Sequence, residues 1–270
     1  MKIVDKISSK GDGKVNEDIW GSSGNRFWVI DGVTAKTQKK FYSLVSDAEF
    51  LVNNFSNKLV DCCKKNEQIS NKELMHQAMI EVRKGLDKRT FEENEKRIQP
   101  SFAIAIVKIN NELIELDVLS DCYVIIKRRE EIFTYTDSRI DIIAEKTKKV
   151  RKFIAENNIK GEGAIQLLTN QKRKNRELMN MAGGYWVGTI DGKAFDNMYS
   201  KKFLIRDVEG ILLCTDGFYK IFEKDICKPR DILEGKISLK ASVNILREYE
   251  KNNAEEGMKV SDDATAMRII

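Results

Sequence analysis

The sequence predicts an α+β fold in which antiparallel sheets are covered by helices, and three observations carry that reading. Apolar segments of strand length recur at residues 26–30, 101–109, 113–119, 131–136 and 210–214, bounded by turn residues. The connections between neighbouring segments are short, as in hairpins, where a parallel arrangement would need long crossovers. Segments with apolar residues three and four apart come in pairs between the strand runs, as helices laid on sheet faces would. There is no internal repeat, no low-complexity segment and no linker rich in Pro, Gly or Ser. With 2 prolines in 270 residues the chain reads as one domain, 1–270.

Taken in order, residues 3–7 form a first strand and Gly11-Asp12-Gly13-Lys14 a turn. Glu17 and Asp18 then lead into apolar residues, and a buried strand over 26–30 runs into Asp31-Gly32. A hairpin here would bring Glu17 and Asp18 beside Asp31, since paired strands lie about 4.8 Å apart. Residues 38–63 carry helical spacing through Phe41, Leu44, Val45, Ala48, Leu51, Phe55 and Leu59. Ser70-Asn71-Lys72-Glu73 is a capping box that opens a second helix with the stripe Leu74, Ala78, Val82 and Leu86. Pro100 ends a polar connection, and residues 101–109, 113–119, 122–126 and 131–136 read as a meander interrupted at Ser120-Asp121. Helices follow at 141–157 and 164–182, broken by Gly183-Gly184 before a short strand at 185–188. Residues 203–205 and 210–214 suggest a hairpin that delivers Asp216-Gly217. A helix over 238–251, with Ala241, Ile245 and Leu246 inward, precedes a terminal strand that starts after Asp262-Asp263.

Composition excludes several chemistries. The single histidine, His76, lies off the apolar stripe of its helix, which leaves no basis for a triad mechanism or a histidine-rich zinc site. Five cysteines without regular spacing form neither a disulfide framework nor a CxxC pair, and Cys122 and Cys214 read as core filler. No apolar run is long enough to span a bilayer and the N-terminus lacks a signal-peptide core, so a cytoplasmic location is expected. The net charge of +5 is concentrated: residues 146–176 hold ten Lys/Arg against Glu156 and Glu162. That segment reads as a solvated helical face or as a surface for acidic or phosphorylated partners. Nucleic-acid binding ranks last, because aromatic interleaving and a known motif are both absent.

Four acidic points share one context. Glu17-Asp18 precedes a strand, Asp31-Gly32 and Asp216-Gly217 end strands, and Asp262-Asp263 begins one. If the sheets bring these ends together, the carboxylates repel unless hard cations join them. Mg²⁺ or Mn²⁺ suits such oxygen ligands, and a pair of ions can activate water and neutralise a phosphoryl group without a histidine.

Asn16-Glu17-Asp18, Val29-Ile30-Asp31-Gly32, Leu119-Ser120-Asp121, Leu213-Cys214-Thr215-Asp216-Gly217 and Asp262-Asp263-Ala264-Thr265 occur in that order. The set resembles the ordered motifs of the metal-dependent protein phosphatases of type 2C. The resemblance implies a four-layer α-β-β-α sandwich with two central, mainly antiparallel sheets. It also implies hydrolysis of phosphoserine and phosphothreonine in proteins with two Mn²⁺ or Mg²⁺ ions per site. By motif, Asp31 would bridge the two ions and Asp216 and Asp262 would complete one shell. Glu17 and the carbonyl of Gly32 would serve the other, and Asp18 would hold a metal-bound water. The chain departs from the family pattern at Gly13, where many members have a phosphate-binding arginine, with Lys14 as the neighbouring substitute. It departs again at Val33, where some have a histidine, at Ser120-Asp121-Cys122 in place of Gly-Asp-Ser, and at Lys220, where an acid for a third ion is missing. Two alternatives stay open: a phosphatase of a small phosphoester, and a catalytically silent binding module of the same fold.

Overall fold

The computed structural model describes residues 1–34, 40–86, 98–254 and 260–270. Among the described residues, ten strands form two five-stranded sheets in which every neighbouring pair is antiparallel. One sheet has the order β2-β3-β4-β5-β8, with β2 Asp18–Ser23, β3 Arg26–Val33, β4 Ser101–Ile109, β5 Leu113–Leu119 and β8 Tyr199–Leu204. The other has the order β1-β10-β9-β6-β7, with β1 Ile3–Ser9, β6 Tyr123–Arg128, β7 Glu131–Tyr135, β9 Gly210–Cys214 and β10 Ala264–Ile269.

Side-chain alternation assigns the layers. Phe27 and Val29 of β3 point between the sheets, where they meet Val124, Leu213 and Met267. Trp28 and Ile30 point outward onto α1 Asp47–Lys65 and α2 Asn71–Lys84. The outer face of the second sheet is covered by α5 Asp216–Glu223, α6 Pro229–Leu233 and α7 Leu239–Asn252. The predicted four-layer α-β-β-α sandwich is therefore the observed one. A further pair, α3 Asp141–Glu156 and α4 Glu162–Glu177, buries only Asn175 and joins the body through Ile140, Ile143, Met179, Tyr185 and Val187. No described helix is long and apolar enough to cross a membrane.

Several local expectations are corrected. The first helix begins at Asp47, so Phe41, Leu44 and Val45 precede it; residues 38 and 39 lie outside the described residues. Its side chains explain the late start. Ser46 caps the helix by accepting from the Glu49 N–H (3.1 Å), and the Asp47 carboxylate accepts from the N–H groups of Tyr42 (2.8 Å) and Ser43 (3.0 Å). These bonds fold residues 41–43 across the helix N-terminus. The expected meander is split, since β4 and β5 lie in one sheet and β6 and β7 in the other. The chain changes sheets at Ser120, which holds the left-handed conformation (φ 64°). The pair 203–205 and 210–214 is likewise no hairpin, because β8 and β9 belong to different sheets. Residues 185–188 make single bridges, Met179 with Tyr185 and Phe102 with Gly188, and no strand. In α7 the inward face is Leu239, Val243 and Leu246, while Ile245 is exposed. The helices α5 and α6 were not anticipated.

The end of the first sheet far from the acidic motifs is locked by a fully buried Arg26. Its guanidinium donates to Asn71 Oδ1 (3.2 Å) and to the carbonyls of Glu67 (3.1 Å) and Ile69. Asn71 passes the connection to Asp117 (2.9 Å), which also accepts from the Ser200 hydroxyl. Arg26→Met keeps the stem but strands these acceptors, so it should lower the unfolding free energy by about 3 kcal/mol, measured by urea titration.

Candidate metal centre

The hairpin of β2 and β3 puts Asp18 directly opposite Asp31, as the sequence predicts. β3 runs through Val33, so Asp31 and Gly32 are strand residues rather than the turn after a strand. Gly32 donates its N–H to the Glu17 carbonyl (3.1 Å), and a Cβ there would stand 2.7 Å from that oxygen. From the second sheet, β9 ends at Cys214, Thr215 stands at the N-cap of α5, and Asp216 is the first residue of that helix. A Cβ on Gly217 would lie 2.0 Å from the Asp263 carbonyl oxygen, so this position is closed to any side chain.

A cavity of about 410 Å³ opens where these ends meet. Glu17, Asp31, Asp121, Asp216 and Asp262 line it, with Lys14 exposed on its rim. Asp121 belongs to the Leu119-Ser120-Asp121 motif, whose resemblance to the family assigns it no ligand role in the two-ion set. The Ser120 turn that carries the chain between the sheets delivers it here, and the Ser120 hydroxyl donates to its carboxylate (2.9 Å).

Neighbouring acids separate into different tasks. Asp263 accepts from the N–H groups of Gly11 (2.8 Å) and Glu17 (2.7 Å), tying the 11–17 segment to the start of β10. Asp262, on the same cavity wall, accepts from the Asp263 N–H (3.0 Å). Asp18 is buried and accepts from the Thr215 hydroxyl (2.7 Å), which bonds one sheet to the other. Glu17 is oriented by the hydroxyls of Thr34 (2.6 Å) and Ser46 (2.5 Å), so the cap of α1 also steadies a cavity carboxylate. Val33 stands half exposed near the mouth, and Lys220 turns away to pair with the buried Glu250 (2.7 Å).

Electrostatics mark the site. Burial, then the charges of Asp18, Asp216 and Asp121, holds the Asp31 carboxyl well above the usual carboxylate range. Asp216 is pushed up to about 7, first by burial and then by Asp121. Burial raises Asp18 and Asp121 as well, opposed by hydrogen bonds from Thr215 and Ser120. The shifts drive both carboxyls toward their protonated forms. A hard cation would relieve the same repulsion without the proton. Every side chain at the acidic end offers oxygen, with no thiol or imidazole among the described lining residues, and this donor set fits Mg²⁺ or Mn²⁺. Among the described residues no three of these acids are already gathered as a metal-binding cluster.

Solved structures align over the whole chain. The Staphylococcus aureus serine/threonine phosphatase Stp1 matches 100% of this chain and 96% of its own, with TM-score 0.58 and 12% identity. The fold is that of the serine/threonine phosphatases. The phosphatase MsPP of Mycobacterium smegmatis, in complex with cacodylate, covers 100% and 99% of the two chains with TM-score 0.56 and 14% identity. The catalytic domain of the phosphatase PstP, in complex with two manganese ions, covers 97% and 95% with TM-score 0.52 and 12% identity. No protein-family model and no curated protein matches the sequence.

The raised carboxyls bind protons more tightly in the folded chain than in the unfolded one, where they titrate near pH 4. For Asp216 the stabilising effect is complete below that pH and is lost as the pH rises through about 7. In EDTA the melting temperature should fall by several degrees between pH 5 and pH 8. Asp216→Asn should flatten that slope, and Mn²⁺ should restore stability at pH 8 in the wild type. A thermal melt series checks all three.

Proposed function

We propose that this chain is a metal-dependent phosphatase that hydrolyses phosphoserine and phosphothreonine in proteins. The observation that carries the reading is the convergence of Glu17, Asp31, Asp121, Asp216 and Asp262 on one cavity within a phosphatase fold. Asp31 would bridge two ions, Asp216 and Asp262 would hold one of them, and Glu17 with the Gly32 carbonyl the other. Asp121 joins this set as a further carboxylate. When bound, two such dications supply an acidified water and positive charge for the phosphoryl oxygens.

The chain's own residues do the positioning. Asp18, fixed by Thr215 and paired across the hairpin with Asp31, stands outside the cavity lining, and its role there would be to hold a metal-bound water. Thr34 and Ser46 keep Glu17 in one orientation, as partners of a metal-binding carboxylate do elsewhere. Lys14 meets the incoming phosphate from the rim as a point charge, where an arginine would offer a two-pronged fork. Val33 cannot give a proton to the leaving alkoxide, so water does. We place the reaction in the cytoplasm, where the five unpaired cysteines stay reduced. Gly13 and Val33 favour a second reading, a silent binding module with the same fold.

Hydrolysis of an aryl phosphate should require Mn²⁺ or Mg²⁺ and stop in EDTA. Asp31→Asn and Asp216→Asn should each lower kcat/KM by at least about 100-fold, or ~3 kcal/mol of barrier. Absence of turnover by folded wild-type protein with every divalent ion tried would reject the enzyme in favour of the binding module. Turnover of phosphorylated metabolites but not phosphopeptides would assign the small-phosphoester alternative.

A further inference from the structure

A second cavity, of about 390 Å³, lies against the first, and Val33, Thr34 and Asp121 line both. Its chemistry is the opposite of its neighbour's. Ala103 of β4, Ile140, Ile143, Tyr185 and Val187 give it apolar walls, and Lys172 and Arg173 of α4 stand exposed at its edge. Arg176, one turn further along α4, also lines it. Arg176 is held by donation to the Gln99 carbonyl (2.6 Å), while its Nε is buried with no partner among the described residues. The first cavity accounts for a phosphoryl group and the carboxylates around it. It makes no use of an adjoining apolar chamber with a cationic edge.

Resting on the phosphatase reading, we propose that this second cavity is a substrate subsite for the peptide segment beside the phosphorylated residue. It would take an apolar side chain between Ile143, Tyr185 and Val187, and acidic residues next to it against Arg173 and the positive face of α4 around it. The preferred substrate is thus a phosphopeptide with an acidic flank. Charge complementarity supports the choice of occupant. The helix pair bearing this edge holds ten Lys/Arg against two Glu over residues 146–176, a field that steers acidic segments toward the cavity. Continuity supports it too, because a chain with its phosphate at Asp31 and Asp121 passes Val33 and Thr34 directly into the second chamber. The subsite also answers the loss at Gly13: grip removed from the phosphate side is supplied one cavity away.

The test compares two phosphopeptides identical except for flanking Glu or Lys residues, using wild type, Lys172→Glu/Arg173→Glu and the milder Lys172→Gln/Arg173→Gln. Binding is read by fluorescence anisotropy in EDTA, where nothing turns over. With Mn²⁺, kcat/KM is expressed relative to each protein's own aryl phosphate rate. The wild type should favour the Glu peptide by about 10-fold in both readouts at low salt, with the preference shrinking as salt rises. The Gln variant should weaken the preference and the Glu variant should reverse it. Equal binding of the two peptides by wild type, or a preference that survives charge reversal, overturns the subsite. Loss of all turnover in wild type with the anisotropy preference intact overturns the phosphatase reading and leaves the acidic-peptide surface standing.

Discussion

The constraint on which the structure turns is the confinement of like charges. Asp18, Asp31, Asp121 and Asp216 are brought close enough, and far enough from bulk water, for each carboxyl to hold its proton more tightly than it would in an open chain. Removing a carboxylate from water costs several kcal/mol, and no Lys or Arg is paired with Asp31, Asp121 or Asp216 among the described residues. The opposing contribution comes from the layers around them. Each large apolar side chain buried between or outside the sheets contributes about 1.5–3 kcal/mol, so a small part of either core offsets the strain at the cavity. The acids arrive from both sheets: Asp31 on β3, Asp121 at the crossing between sheets, and Asp216 at the end of β9. The packing of Phe27 and Val29 against Leu213 and Met267 therefore sets the spacing of the site as well as the stability of the fold.

Much of this was legible in the sequence because local rules decide it. The Ser70-to-Glu73 capping box appears with both its bonds formed, and the Asp18–Asp31 pairing follows from one short turn. What was illegible is sheet membership. β4, β5, β6 and β9 are buried on both faces, so their residues do not reveal which neighbour each strand takes. Short connections then suggested hairpins where the chain in fact steps between sheets. A left-handed Ser120 was the available signal, but serine does not announce that conformation as glycine would. The late start of α1 had a clearer sign. Ser46 with Asp47 is a strong helix opening, masked by the apolar spacing through Phe41, Leu44 and Val45, of which Leu44 and Val45 are exposed.

Adjacent acids with different fates show where a motif stops being informative. Asp262 and Asp263 are chemically alike and both border the cavity, yet only Asp263 spends its two oxygens on backbone N–H groups of the 11–17 segment. The register of β10 against β1 and β9 fixes which side each faces, and register is a property of the assembled sheet. Resemblance to a family names Asp262 of this pair, and Asp263 has a structural task of its own: it is the clasp that closes the segment carrying Glu17. Without it the backbone at Glu17 would lose its tie to the start of β10, leaving Gly32 and the hydroxyls of Thr34 and Ser46 to hold the glutamate.

The same separation governs the cations. A lysine or arginine inside the acidic cavity would neutralise the carboxylates and compete with dications for their oxygens. The chain keeps its densest positive charge on α3 and α4, a helix pair that buries almost nothing and is fastened at its base by Ile140, Ile143, Met179 and Tyr185. Arg176 reaches back from it to the Gln99 carbonyl, at the start of the strand β4 that pairs with β3 and so with Asp31. Positive charge is thus fixed in position relative to the acids without being joined to them. With dications held by the acids, a ligand with one strongly anionic end and a weaker anionic flank would meet positive charge at both, as the proposed substrate does.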